Sequence, residues 1–166
     1  MGATLTRGEI LELLHEVKDP EIPALSVVEL GVVRDAQVSD EGVVVTITPT
    51  YSGCPAMRLM EEEILAALAR HGLRDARVET SFREVWTTDW MTDEARAKLR
   101  ASGIAPPLPT TREGEALVPL RRHVAIACPF CGSHRTVLRS EFGSTACKAL
   151  YTCSECGMPF DYFKGI

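Results

Sequence analysis

Two pairs of cysteines near the end of the chain constrain its fold more than any other feature. Each pair has the spacing C-x2-C, Cys128 with Cys131 and Cys153 with Cys156, and 21 residues separate the pairs. One such turn can present two thiolates to a cation, and a second turn completes the tetrahedral shell of a structural zinc site. The spacing therefore predicts a zinc ribbon over residues 123–166 that holds one structural zinc ion per chain.

The predicted metal site is closed. Four sulfur ligands leave no coordination position for water or substrate, so we expect the ribbon to be a docking module rather than a catalytic centre. His123 and His134 flank the first pair and are alternative ligands, but two intact pairs favour the four-sulfur site. A tetrathiolate shell accepts iron as well as zinc, so the spacing alone leaves the metal open.

Composition restricts the classes of partner. The chain has 166 residues, with 18 lysines and arginines against 23 aspartates and glutamates, a formal net charge of −5. This balance argues against broad binding to nucleic acid backbones. The sequence shows neither a secretory signal pattern nor an apolar run of about 18 residues, so we expect a cytoplasmic protein with no membrane partner. In a reducing compartment, six cysteines are better explained as metal ligands or reactive thiols than as disulfides.

The residues before the ribbon alternate between helical and strand patterns. Thr6 and Glu9 form a capping box ahead of an amphipathic helix, and β-branched residues over 32–38 and 43–48 predict a hairpin. A second helix ends near Gly72. A third strand over 77–82 and a last helix capped by Thr92 follow. The order predicts a small α+β domain with a short mixed or antiparallel sheet.

A linker separates the two predicted domains. Four prolines lie between residues 105 and 120, among threonines and charges of alternating sign. Such a composition is typical of an extended connection without a core of its own. We therefore predict an α+β domain over 1–104, a linker over 105–122 and the ribbon over 123–166.

Cys54 is the residue of the first domain most suited to chemistry. It lies just before the second predicted helix, whose dipole and free N–H groups favour a thiolate over a thiol. A thiolate there can be a nucleophile or a soft-metal ligand, whereas a buried cysteine acting as a small apolar residue is an equal alternative. Asp19 and Glu21 can add carboxylates to this site, although Asp-Pro-Glu is also ordinary turn chemistry.

Cys147, the tryptophan segment and Phe142 are further candidates for contacts with other molecules. Cys147 is a fifth cysteine that a four-coordinate zinc does not need, and it is either a core thiol, a spare ligand or a transfer thiol. Both tryptophans lie in one short segment, where large aromatic residues suit either an interface or ordinary packing. The predicted partner-binding residues are Trp86, Asp89, Trp90 and Phe142.

Several longer runs resemble two related families. The segments 19–23 (DPEIP), 30–31 (LG) and 48–55 (TPTYSGCP) are similar to the domain of iron-sulfur maturation factors of the SufT type. The segments 85–91 (VWTTDWM), 140–151 (SEFGSTACKALY) and 159–164 (PFDYFK) resemble the PaaD family, the D proteins of the phenylacetyl-CoA epoxidase system. The resemblance extends along almost the whole chain.

The resemblance implies an accessory, non-catalytic protein of aerobic phenylacetate breakdown. In that system a multicomponent monooxygenase, with a diiron oxygenase and an iron-sulfur flavin reductase, epoxidises the ring of phenylacetyl-CoA. The implied role is assistance in maturing the iron-sulfur or diiron cofactor, with iron or a cluster held transiently. Cys54 matches the cysteine of the maturation motif, and Asp19 and Glu21 match its acidic turn. The implied partners are the oxygenase and reductase components, and the iron-sulfur assembly machinery.

Two alternatives stay open at this point. A structural adaptor would stabilise the monooxygenase complex through the ribbon without transferring metal. An enzyme that uses Cys54 as a nucleophile on an acyl-CoA thioester would need a base nearby, and the nearest histidines in sequence are His15 and His71.

Overall fold

A computed structural model describes residues 5–51, 53–109 and 125–165. The chain divides into two compact units, Met1–Ala95 and Arg96–Ile166. Most of the predicted linker over 105–122, and His123, lie outside the described residues, and the predicted domain limits stay predictions. The elements in chain order are α1 (Arg7–Leu14), β1 (Val33–Ser39), β2 (Gly42–Ile47), α2 (Met57–Arg70), β3 (Ala76–Thr80), a 3-10 helix (Thr88–Trp90), α3 (Asp93–Ala101), β4 (Ile104–Ala105), β5 (Thr136–Ser140), β6 (Lys148–Cys153) and β7 (Pro159–Phe163).

The first unit contains a three-stranded sheet in the order β1-β2-β3. β1 and β2 form the predicted antiparallel hairpin, and β3 runs parallel to β2. The predicted short mixed sheet is thereby confirmed. Val45 and Ile47 of β2 are fully buried because alternate residues of a strand face the same side.

The helices α1 and α2 complete the core of this unit. The capping box of α1 is present, since Thr6 N–H donates to Glu9 Oε2 at 2.7 Å and Glu9 N–H donates to Thr6 Oγ1 at 3.3 Å. Among the described helices, none is long and apolar enough to cross a membrane.

The core of the first unit is built from large apolar side chains. Burial of each of them contributes about 1.5–3 kcal/mol to stability. The largest fully buried side chains of the unit are Ile10, Leu14, Ile22, Leu25, Leu30, Ile47, Met60, Ile64, Leu68 and Trp86.

The second unit contains a four-stranded sheet in the order β4-β7-β6-β5. β5, β6 and β7 pair antiparallel, whereas β4 is parallel to β7 through Ile104 and Ala105. This pairing was not predicted, because two residues carry no strand periodicity. The small buried cluster of the sheet contains Ala105, Ile126, Cys128, Cys153 and Phe160.

The hairpin turn provides a test of the first unit. Gly42 has a φ of +121°, and a Cβ at this position would overlap the carbonyl oxygen of Asp75, which accepts the N–H of Val43. Gly72 is a matched control, since it has a φ of +84° with no heavy atom within 4 Å of its Cβ position. We expect Gly72→Ala to lower the free energy of unfolding by about 1 kcal/mol. Gly42→Ala should lower it by at least about 3 kcal/mol because a backbone clash is added.

The measurement is urea unfolding followed by tryptophan fluorescence. Both tryptophans, Trp86 and Trp90, lie in the first unit, so the signal reports that unit alone. Equal losses of stability in Gly42→Ala and Gly72→Ala would contradict the close packing of Asp75 on the hairpin.

Candidate functional site

Three loops of the first unit meet at one edge of its sheet. Because β1 is antiparallel to β2 and β3 is parallel to it, the start of β1 lies beside the ends of β2 and β3. Hydrogen bonds hold the loops there: Thr48 N–H donates to Val32 O at 2.8 Å, and Ser81 N–H donates to Ile47 O at 2.8 Å. The hydroxyl of Thr48 also donates to Ser81 O at 3.1 Å. This edge therefore positions the loop that carries Cys54.

Cys54 lies directly below the surface at this edge. Its side chain is 8% exposed, while Gly53 and Pro55 on either side are exposed. The carbonyl of Cys54 accepts the N–H of Met57, the first residue of α2, at 3.4 Å. Cys54 thus lies directly before the first turn of α2.

The acidic turn has a structural role. Asp19 is 4% exposed, and its Oδ1 accepts the N–H groups of Glu21 at 2.8 Å and Ile22 at 2.7 Å. This is the turn chemistry that Asp-Pro-Glu favours. Within the described residues, Cys54, Asp19 and Glu21 do not form a group of three ligands around a common point. Their predicted role in iron transfer stays a proposal.

The histidines named as bases for Cys54 contact other residues. Nδ1 of His15 lies 3.2 Å from Ser26 Oγ, and Nε2 of His71 lies 3.4 Å from Glu16 Oε2. Among the described residues, no hydrogen bond joins the sulfur of Cys54 to either ring. In this structure the two rings instead pair with Ser26 and Glu16.

The structure brings the four cysteines of the second unit together. Their sulfur atoms all lie within 4.8 Å of one another. Sγ of Cys128 is 3.7 Å from that of Cys156, and Sγ of Cys131 is 3.6 Å from that of Cys153. A tetrahedral ion with metal–sulfur bonds of about 2.3 Å requires sulfur separations of about 3.8 Å. The four thiols therefore fit a tetrathiolate metal ion.

Tight turns hold the sulfurs in this arrangement. Gly132 N–H donates to Cys128 O at 2.9 Å, and Gly157 N–H donates to Cys153 O at 3.0 Å. Cys128 and Cys153 are buried in the core of the sheet, whereas Cys131 is exposed. Two ligands thus belong to the core, so a bound ion would be linked to the packing of the whole ribbon.

The thiols influence one another's ionisation. Backbone N–H groups of Cys156 and Glu155 lower the pKa of the Cys153 thiol to about 7. At Cys131 the backbone of Ser133 also favours the thiolate, but desolvation and the neighbouring thiols outweigh it and raise the pKa to about 12. Four thiolates at these distances repel one another, so a cation is needed to stabilise the fully ionised set.

Cys147 lies outside this four-sulfur group. Its side chain is 6% exposed, and its sulfur lies 3.1 Å from Thr145 Oγ1. Its carbonyl accepts the N–H of Lys164 at 3.0 Å, so the residue ties the loop before β6 to the end of β7. This arrangement agrees with a core thiol.

The tryptophan segment packs on the Leu30–Gly31 motif. Trp86 is 1% exposed and donates its indole N–H to Leu30 O at 3.1 Å. A Cβ on Gly31, whose φ is +78°, would lie 3.3 Å from the Cβ of Trp90. The ring of Trp86 therefore belongs to the core, which agrees with the packing alternative, and its partner-binding role stays a prediction. Asp89 is exposed.

Trp90 is half-buried, and a cation covers its ring. The guanidinium carbon of Arg34 lies 3.5 Å from the ring centroid, a cation–π contact. In the second unit Phe142 is 66% exposed, with the ammonium of Lys164 4.5 Å from its centroid. Phe142 is thus accessible to a partner, as its predicted role requires.

Two features at the edge that carries Cys54 were not predicted from the sequence. Ser26 and Glu29 form a second reciprocal cap, since Glu29 Oε2 accepts Ser26 N–H at 2.8 Å and Ser26 Oγ accepts Glu29 N–H at 3.1 Å. The Ser-x-x-Glu spacing was a visible signal for it. Phe82 and Val85 are 73% and 84% exposed beside the same edge. Phe82 ended the predicted third strand over 77–82, whose alternation gave no sign that this side chain would be exposed, whereas the observed strand ends at Thr80.

Two known families match this chain, one in its first part and one in its last part. The family model of an iron-sulfur cluster assembly protein matches residues 7–80. The family model of a PaaD zinc β-ribbon domain matches residues 113–164. The first match includes Cys54, Asp19 and Glu21, and the second includes all four clustered cysteines.

Relatives with assigned names extend these matches. A protein of Escherichia coli named as the D component of 1,2-phenylacetyl-CoA epoxidase is 47% identical over 95% of this chain and 92% of its own length. A protein of Porphyromonas gingivalis named as an Fe-S protein maturation auxiliary factor is 32% identical, over 57% of this chain and 90% of its own length.

Solved structures match the first part of the chain. A domain of unknown function from Bacillus anthracis has a TM-score of 0.53 at 24% identity, covering 56% of this chain and 90% of its own, which shows the fold alone. A conserved hypothetical protein of Thermotoga maritima has a TM-score of 0.50 at 33% identity, covering 60% of this chain and 98% of its own. With the Escherichia coli relative matched along nearly its whole length, and with both domain families matched in order, the chain belongs to the PaaD family.

Proposed function

We propose that the protein is a non-catalytic accessory factor of the phenylacetyl-CoA epoxidase system that assists maturation of an iron-sulfur or diiron cofactor. The observation that carries this proposal is the union, in one chain, of an iron-sulfur assembly domain and the zinc ribbon of the PaaD family. The named maturation factor of Porphyromonas gingivalis supports the first half of the proposal, and the Escherichia coli relative supports the second.

The four clustered cysteines hold one structural zinc ion in this proposal. Their sulfur separations suit a tetrahedral ion, and their donor set suits zinc as well as iron. A bound ion contributes charge compensation and a cross-link between the two cysteine turns. Cys128, Cys131, Cys153 and Cys156 all become its ligands.

Cys54 is the proposed transient ligand for the iron or cluster that is passed on. Thiolates are the usual protein ligands of iron-sulfur clusters. Cys54 lies beside the first turn of α2, and among the described residues neither His15 nor His71 is hydrogen-bonded to its sulfur. This position suits a ligand better than a nucleophile. The proposed clients are the diiron oxygenase and the iron-sulfur flavin reductase of the epoxidase.

A structural adaptor is the second candidate. The observation that favours it is the 66% exposure of Phe142 on a ribbon whose metal shell is closed. An adaptor would stay in the complex after assembly, whereas a maturation factor would leave it.

The zinc assignment predicts a specific loss of metal. We expect Cys131→Ser to lower the zinc content from one per chain to near zero and to unfold the ribbon, because metal-binding energy is folding energy in such modules. Cys147→Ser is the matched control and should keep its zinc, since Cys147 lies outside the four-sulfur group. Elemental analysis of protein purified without oxygen measures both. One zinc per chain in Cys131→Ser would contradict the assignment.

The role of Cys54 predicts a separable effect on the client. We expect Cys54→Ala to keep its zinc and its tryptophan fluorescence while iron incorporation into the epoxidase components falls several-fold. The measurement is the iron and acid-labile sulfide content of components matured with the wild-type or the variant protein. Equal iron loading with Cys54→Ala would refute the maturation role.

The adaptor makes the opposite prediction about association. It requires that this chain co-purify with the oxygenase at a fixed stoichiometry after iron loading is complete, which light scattering can measure. A complex that dissociates once the client is loaded would exclude the adaptor and agree with a maturation factor.

A further inference from the structure

The segment between β3 and the 3-10 helix presents two apolar side chains to solvent. Phe82 is 73% exposed and Val85 is 84% exposed. These are the highest exposures among the large apolar residues that the structure describes. Arg83 and Glu84 between them are also exposed. We call residues 82–85 the apolar loop.

Both ends of the apolar loop are fixed to the core. On one side, the N–H of Ser81 donates to Ile47 O and its carbonyl accepts the hydroxyl of Thr48. On the other side, Trp86 is buried and hydrogen-bonded to Leu30 O at 3.1 Å. The exposed loop is therefore anchored to the folded core at both of its ends.

A side-chain contact within the loop adds to this fixation. Arg34 lies between the loop and the tryptophan segment: its Nη2 is 3.3 Å from Glu84 Oε2, and its guanidinium covers the ring of Trp90 at 3.5 Å. Phe82 and Val85 stay largely exposed beside this contact. Two large apolar groups that are exposed close together on an anchored loop are candidates for a contact surface.

The position of the loop connects it to Cys54. Ser81 and Thr48 are hydrogen-bonded across the ends of β2 and β3. Thr48 begins the loop that leads to Cys54 along the same edge of the sheet. A protein that covers Phe82 and Val85 would therefore also approach the loop that carries Cys54.

Charge indicates what kind of surface would cover this edge. Residues 1–95 contain 8 lysines and arginines against 18 aspartates and glutamates, a net charge of −10. Residues 96–166 contain 10 against 5, a net charge of +5. The first unit is thus strongly acidic, and a basic partner surface would complement it.

We propose that Phe82 and Val85 dock the client protein at the Cys54 edge, through an apolar pocket with a basic rim on the client. This inference rests on the proposed maturation function and specifies where the client binds. Two anchoring side chains make a small interface, which suits a complex that forms and dissociates with each transfer.

The test compares two double variants of the full chain. Phe82→Ser with Val85→Ser removes the apolar loop's side chains. Phe130→Ser with Val137→Ser removes the same residue types from exposed positions of the ribbon, where Phe130 is 52% and Val137 is 45% exposed. Titration calorimetry against each purified epoxidase component, the oxygenase and the reductase, measures the dissociation constants.

We expect the apolar-loop variant to bind its client at least about tenfold more weakly, while the ribbon variant binds like wild type. Iron loading at low protein concentration should fall in parallel and recover at high concentration, because Cys54 is intact. Binding of the wild type should weaken with added NaCl. Unchanged binding by the apolar-loop variant, or an equal loss in the ribbon variant, would overturn the proposal.

Two controls separate this inference from the function on which it rests. Cys54→Ala should bind the client normally but fail to load it, so a loss in loading without a loss in binding supports both. If Cys54→Ala loads iron normally, the maturation function fails, whatever the apolar-loop variant does. If wild type is a dimer that the apolar-loop variant converts to monomer, a second copy covers the loop, and the client proposal is overturned.

Discussion

The central position of β2 decides which loops of the first unit lie together. Because β2 pairs antiparallel with β1 and parallel with β3, the chain enters and leaves the sheet at one common edge. The bonds from Thr48 to Val32 and from Ser81 to Ile47 close that edge. The maturation motif and the apolar loop are far apart in sequence, yet the topology makes them neighbours. A different direction for β3 would place the apolar loop at the opposite end from Cys54.

The second unit depends on a different constraint. Two of its cluster cysteines, Cys128 and Cys153, belong to a buried cluster with Ala105, Ile126 and Phe160. A unit of this size buries limited apolar surface, and small zinc modules take part of their folding energy from the metal. The ion that the four sulfurs fit is therefore a folding element first. Any docking role of Phe142 is built on that cross-link.

Sequence patterns predicted the elements better than their arrangement. The capping box at Thr6, the hairpin around Gly42 and the four-sulfur spacing all arise from local rules, and the structure contains each of them. The parallel pairing of β3 and the pairing of β4 are non-local, so no short window of sequence records them. Trp86 shows the same limit, since its segment suited an interface or a core equally. Its bond to Leu30, 56 residues away in sequence, decides for the core.

Burial of Cys54 explains why docking and transfer belong together in the proposed function. A fully exposed thiol would be open to oxidants, whereas Cys54, which is 8% exposed, is shielded while the protein is free. In the proposed function, the same shielding keeps a client's metal site away from the sulfur unless the client is seated closely on the loop that carries Cys54. An anchored apolar contact on the same edge provides such seating without requiring a large permanent interface. The burial of the thiol and the exposure of Phe82 and Val85 are thus complementary parts of the proposed mechanism.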